Sequence, residues 1–114
     1  MSPITSHVLD TSLGRPAAGV GIALSLQGSD GNWKVLSRGT TDADGRVKNL
    51  LPEGSELTRG TYRLTFDTAS YFRARNTETF FPQVEVAFLV SDPKQRYHIP
   101  LLLSPFGYST YRGS

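Results

Sequence analysis

The 114-residue chain contains no cysteine. Disulfides and thiolate metal sites are therefore excluded, and nothing ties the sequence to an oxidising compartment. Long apolar runs are missing too; none approaches the length of a membrane span. Neither sign of charge dominates, because twelve Lys and Arg are scattered among ten Asp and Glu, giving a formal net charge of +2. That balance lacks the clustered basic footprint of a nucleic-acid binder, so neither nucleic acid nor membrane is an expected partner. The opening MSPITSHVLD has no basic segment followed by an apolar one, and the closing RGS is not an SKL-type address. The expectation is a cytoplasmic or peroxisomal protein without a signal peptide. Internal repeats, a G-x-S-x-G elbow, a P-loop and a dinucleotide fingerprint are all absent. The length fits one domain over residues 1–114. A domain of that size buries about two-thirds of the surface its unfolded chain exposes, enough for a modest core.

What is present is turn punctuation and alternation. Gly14 to Pro16, Gly28 to Gly31, Asp42 to Gly45, Pro52 to Gly54, Gly60 and Asp92-Pro93 break the chain into short runs. Within the runs the period is two. Ile22, Leu24 and Leu26 share one face of GIALSLQ, Tyr62, Leu64 and Phe66 one face of TYRLTFD, and Val84, Val86, Phe88 and Val90 one face of QVEVAFLV. Such runs predict an all-β sandwich of antiparallel sheets. Strands are expected at 4–9, 20–27, 33–41, 46–49, 61–67, 83–91, 96–103 and 107–112. The segment ASYFRARN at 69–76 does not alternate. It puts Ala69, Phe72 and Arg73 on one helical face and predicts a single short helix capped by Ser70.

Several polar residues lie inside these strands. His7 shares a face with Thr5 and Leu9, while Ile4, Ser6 and Val8 take the other. Tyr97, Ile99, Leu101 and Leu103 make the better core face, which turns His98 outward with Arg96, Pro100 and Leu102. Pro100 within a strand suits an edge or a bulge. In YSTYRG, Ser109, Tyr111 and Gly113 share one face and Tyr108, Thr110 and Arg112 the other. An outer face with Leu9 and Leu102 beside two imidazoles is too apolar for ordinary wetted surface, and is expected to be covered by another subunit. The bland readings compete. A single His on a strand is most often structural, and DADGR at 42–46 reads first as an Asp-Gly turn. It begins like a calcium loop but lacks the closing glutamate. Two histidines with no third ligand at a recognisable spacing do not make a zinc site. Pattern alone leaves a β-sandwich of open activity.

The particular residues say more. The stretches TSHVLDTSLGRPA (5–17), TDADGR (41–46), GTYRLTFDTASYF (60–72), FFPQVEVAFLV (80–90), RYHIPLLLSP (96–105) and YSTYRGS (108–114) closely resemble the 5-hydroxyisourate hydrolases of the transthyretin superfamily. The resemblance runs in order from about residue 3 to residue 114. It implies a transthyretin-like β-sandwich of two four-stranded sheets with a short helix after the fifth strand. It also implies a homotetramer, in which last strands pair edge to edge and two dimers pack face to face around sites at the dimer–dimer interface. Hormone-carrying transthyretins share the fold, so fold alone does not decide function. The carriers have Lys, Glu and Thr where this chain has His7, Arg46 and His98, and they do not end in the tetrapeptide seen at 111–114.

By this resemblance the activity is hydrolysis of 5-hydroxyisourate to 2-oxo-4-hydroxy-4-carboxy-5-ureidoimidazoline in urate degradation, with no cofactor and no metal. The alternative is a non-catalytic ligand carrier. The catalytic residues implied are His7, His98 and Ser114; His98 is expected as main base with His7 as its partner. His7, Arg46, Tyr111 and Arg112 are the substrate-binding residues implied. The Ser114 hydroxyl and a terminal carboxylate beside it would position water or polarise an imidazole. Arg46 would offer a fixed charge and a planar fork of donors to urate-like carbonyls and a developing oxyanion. Arg112 faces away from Tyr111 by alternation, so it would act from a neighbouring subunit or lock the tail.

Overall fold

Apolar side chains at every second position give a strand one dry face and one wet one, so two such sheets stack by their dry faces. The computed structural model describes residues 2–114; residue 1 of the expected domain lies outside them. The chain runs through β1 (Ile4–Asp10), β2 (Arg15–Pro16), β3 (Gly21–Gln27), β4 (Trp33–Thr40), β5 (Arg46–Val47) and β6 (Gly60–Asp67). It continues through α1 (Thr68–Ala74), β7 (Val84–Val90), β8 (Tyr97–Ser104) and β9 (Gly107–Thr110). One sheet has the order β2-β1-β8-β9 with β5 also paired to β1, and the other has the order β4-β3-β6-β7. The fold is the expected all-β sandwich with one short helix. The first sheet holds five strands rather than four because Arg15 and Pro16, read from sequence as turn, pair with Asp10 and Leu9.

Ile4 and Val8 of β1, Leu24 of β3, Leu64 and Phe66 of β6, and Leu101 and Leu103 of β8 are fully buried in the core. Each such side chain contributes about 1.5–3 kcal/mol by leaving water. In β1 the burial alternates strictly, with Thr5, His7 and Leu9 half-exposed on the outer side. Among the described residues no helix is long and apolar enough to cross a membrane.

Three expectations are corrected. The sheets are not wholly antiparallel: β1 and β8 run parallel, with Thr5 beside His98, His7 beside Pro100 and Leu9 beside Leu102. The two strands stand at opposite ends of the chain, and the whole second sheet forms the crossover that parallel neighbours need. Pro100 lies in an inner strand, between β1 and β9, rather than at an edge. The β8–β9 ladder closes at Leu101 opposite Thr110 and resumes at His98 opposite Gly113 in the same register. That register leaves Pro100 opposite Tyr111, where the missing N–H interrupts the ladder. The Pro100 carbonyl takes the Thr110 hydroxyl instead, at 2.7 Å. Finally, the helix cap is Asp67, whose carboxylate accepts from the Ser70 N–H at 3.1 Å and the Ser70 hydroxyl at 2.7 Å. A carboxylate satisfies first-turn N–H groups and favours the positive end of the helix. The buried helix positions are Thr68, Tyr71 and Phe72.

Candidate active site

Three neighbouring strands present the polar residues of the outer face. Across β1 and β8, Thr5 stands beside His98; across β1 and β5, His7 stands beside Arg46. The two pairs are separated by one side-chain step along β1. Arg46 reaches this face because of the turn before it. Asp42 accepts from the Asp44 and Arg46 N–H groups at 2.9 and 3.1 Å, and the Gly45 N–H bonds back to the Asp42 carbonyl at 2.9 Å. Gly45 has φ +73°, and a Cβ there would strike the Val8 carbonyl. The turn therefore needs glycine both for its backbone and for its approach to β1. DADGR is an arginine-presenting turn.

Beyond β9 the tail continues alongside β8 in the same register. The Gly113 N–H donates to the His98 carbonyl at 2.8 Å, and a Cβ on residue 113 would fall 2.5 Å from the imidazole Cδ2. A cleft of about 590 Å³ opens here, lined by Thr5, Arg46, Lys48, His98, Gly113 and Ser114 among others. His98 is gripped at Nδ1 by the Thr5 hydroxyl, 2.8 Å away. Burial disfavours the charged ring, and the Arg46 guanidinium and His7 add to that effect. Against the weaker opposing pull of the Thr5 main chain, His98 is held below its ordinary 6.5. A neutral imidazole near neutral pH can take a proton from water.

The structure thus brings His98, Arg46 and Ser114 to one cleft. His7 stands on the same face, close enough to act on His98 electrostatically, but is not part of the cleft wall. Tyr111 and Arg112 are not in the cleft of their own chain. Both line a groove on the β7 side, where Arg112 stacks over Tyr97 at 4.5 Å and donates to Gln95 at 2.9 Å. Sequence reasoning assigned no role to Thr5 or Gly113. Thr5 was visible on the His7 face, but its pairing with His98 depends on the parallel register. Among the described residues no group of three or more His, Asp or Glu is placed to hold a metal ion.

The HIUase/Transthyretin family model matches residues 4–113. The chain belongs to this family. It is 47% identical over 114 residues to the 5-hydroxyisourate hydrolase of Mus musculus, covering 99% of this chain and 96% of that one. The 5-hydroxyisourate hydrolase of Klebsiella pneumoniae superimposes with a TM-score of 0.84 at 35% identity, covering 97% of this chain and 98% of that one. Sea bream transthyretin in complex with thyroxine superimposes with a TM-score of 0.90, also at 35% identity, covering 98% and 95%. Within the HIUase/Transthyretin family, backbone likeness therefore does not separate hydrolase from carrier, and the decision falls to the site.

Proposed function

We propose that this protein is a hydrolase that opens the six-membered ring of 5-hydroxyisourate at its amide-like N–C bond. The observation that carries the reading is the cleft itself: a shielded imidazole, an arginine fork and a hydroxyl converge on the outer sheet face. A carrier of planar aromatics has no use for a partly desolvated base beside a guanidinium, whereas hydrolysis has a use for each. In this reading His98 removes a proton from water as the water oxygen attacks the carbonyl carbon. Arg46 stabilises the oxyanion that forms. The C–N bond then breaks, its nitrogen takes the proton back from the imidazolium, and the new acid ionises to carboxylate. The Ser114 hydroxyl positions the water, and His7 supports His98 from β1.

Oligomeric assembly supplies the rest. Leu9 and Leu102 lie side by side on the outer face, and Leu89, Phe106 and Tyr108 are exposed along the β7 and β9 edges. Such apolar surface suits burial between copies, and free edges suit pairing. We assign a homotetramer in which Tyr111 and Arg112 reach substrate only from a neighbouring copy.

The test is the decay of freshly generated 5-hydroxyisourate, followed by ultraviolet absorbance. Base catalysis contributes about 10²–10⁴-fold and a single oxyanion donor about 10²–10³-fold, so His98→Ala and Arg46→Ala each lower kcat at least tenfold. Decay no faster than the uncatalysed background would leave the carrier reading standing. Full activity in either variant would remove that residue's role.

A further inference from the structure

His98 has two ring nitrogens, and only one can serve as a base in the neutral form. Which one depends on the neighbour that fixes the proton. On the β1 side that neighbour is Thr5, the register partner of His98 across the parallel pair, with its hydroxyl 2.8 Å from Nδ1. A hydroxyl can donate or accept, so this contact alone leaves the proton's place undecided. With Nδ1 occupied by Thr5, Nε2 is the nitrogen left to act as the base, and a base at Nε2 requires the proton on Nδ1 with the Thr5 hydroxyl oxygen accepting it. At the opposite edge of the ring, a Cβ on residue 113 would fall 2.5 Å from Cδ2, the carbon bonded to Nε2, so the tail passes there with room only for glycine.

We infer that Thr5 is the positioning residue of the reaction, holding the proton on His98 Nδ1 so that the Nε2 lone pair faces the water. The inference rests on the reading of His98 as the base. Thr5 touches neither water nor substrate in this role; it sets the tautomer and the ring angle. His7 from β1 and Arg46 from β5 also face His98, but each acts on its charge. Among the described residues, Thr5 is the one whose hydrogen bond distinguishes its two nitrogens.

The test pairs Thr5→Val with Thr5→Ser. Valine keeps the shape and the strand propensity of threonine but loses the hydroxyl; serine keeps the hydroxyl. A wholly wrong tautomer in a hydrolytic triad costs up to about 10⁴-fold in kcat, so a loss of at least about tenfold is expected here. The expected result is that loss in Thr5→Val with KM little changed, and recovery in Thr5→Ser. A readout independent of turnover is the ¹⁵N spectrum of His98 in the wild type, where Nδ1 carries the proton and Nε2 shows the imine-type shift. An imine-type Nδ1, or an unchanged kcat in Thr5→Val, would overturn the inference. If instead His98→Ala keeps its activity, the base assignment itself fails, whatever the ¹⁵N spectrum shows of the tautomer.

Discussion

Replacing Gly113 by alanine adds one methyl group at the point where the tail meets His98. Built on the existing backbone, the new Cβ lies 2.5 Å from His98 Cδ2 and 3.3 Å from both His98 Cγ and Pro100 Cγ. Ordinary contact begins near 3.4 Å, so the closest pair must separate by about 0.9 Å. No easy path relieves it. The obstacle is a ring rather than the end of a flexible chain, and the His98 backbone is fixed between β1 and the tail. If the ring yields, its 2.8 Å bond to Thr5 is lost. If the tail yields, the 2.8 Å bond from Gly113 to the His98 carbonyl breaks and Ser114 leaves the cleft. Either way a reacting group moves by close to an ångström, and a displacement of that size costs about 10²-fold in rate.

The same variant should fold. Gly113 lies beyond the last strand, away from the core, so the cost in urea unfolding should be that of the one hydrogen bond lost, about 0.5–1.5 kcal/mol. The assay is 5-hydroxyisourate decay at saturating and limiting substrate, to separate kcat from KM. The reasoning requires a kcat loss of about a hundredfold in a fully folded protein. A Gly113→Ala variant with kcat/KM within about twofold of wild type would refute the claim that the tail fixes the imidazole.

Three further outcomes follow from the charges. Burial, then Arg46 and then His7 keep His98 below its ordinary 6.5, so the acid limb of kcat/KM falls below that pH. Arg46→Gln moves this limb upward because one cation no longer opposes protonation, and a limb that stays or moves down would exclude Arg46 as an electrostatic neighbour. The linkage has a definite sign. The unfolded ring takes its proton more readily, so stability falls as pH drops below 6.5 towards the folded pKa. At the far end of β1, Asp10 is buried and accepts from the Ser12 hydroxyl, the Ser12 and Leu13 N–H groups and, at 2.6 Å, the Tyr71 hydroxyl. Burial alone would raise its pKa, but those donors outweigh it and hold it below 3.8. Burial and then Asp10 push the Tyr71 hydroxyl up to about 12, so it remains a donor at all working pH. Tyr71→Phe should cost about 1.5–3 kcal/mol in urea unfolding while kcat stays unchanged; an equally stable variant would mean the bond contributes nothing.

Legibility followed the physics of each feature. Period-two alternation is local, so the long strands and the outward aspect of His7 and His98 could be read directly. The turn at 42–46 was equally plain, because Asp-Gly chemistry is decided within five residues. The two-residue strand β2 was not, since its pairing depends on β1 and not on its own sequence. The helix start was legible to within a residue or two, but its cap was not. Asp67 and Ser70 both qualify, and only the geometry decides which oxygen meets the N–H.

The central gap concerns β1 and β8. Strand faces are a property of one segment, whereas neighbours across a sheet are a property of topology. Taking the sheets as antiparallel hid the pairing of Thr5 with His98, because it gave no reason to set one against the other. Pro100 carries the same lesson. Its missing N–H argues for an edge when a strand is considered alone, yet in the sheet the interruption falls opposite Tyr111, just where β9 gives way to the tail. A proline there stops the ladder from running straight through to residue 114 and lets the tail meet His98 by a single bridge at Gly113. The meeting of tail and His98 thus depends on a defect in the sheet, and a defect is the kind of feature that alternation, read one strand at a time, treats as noise.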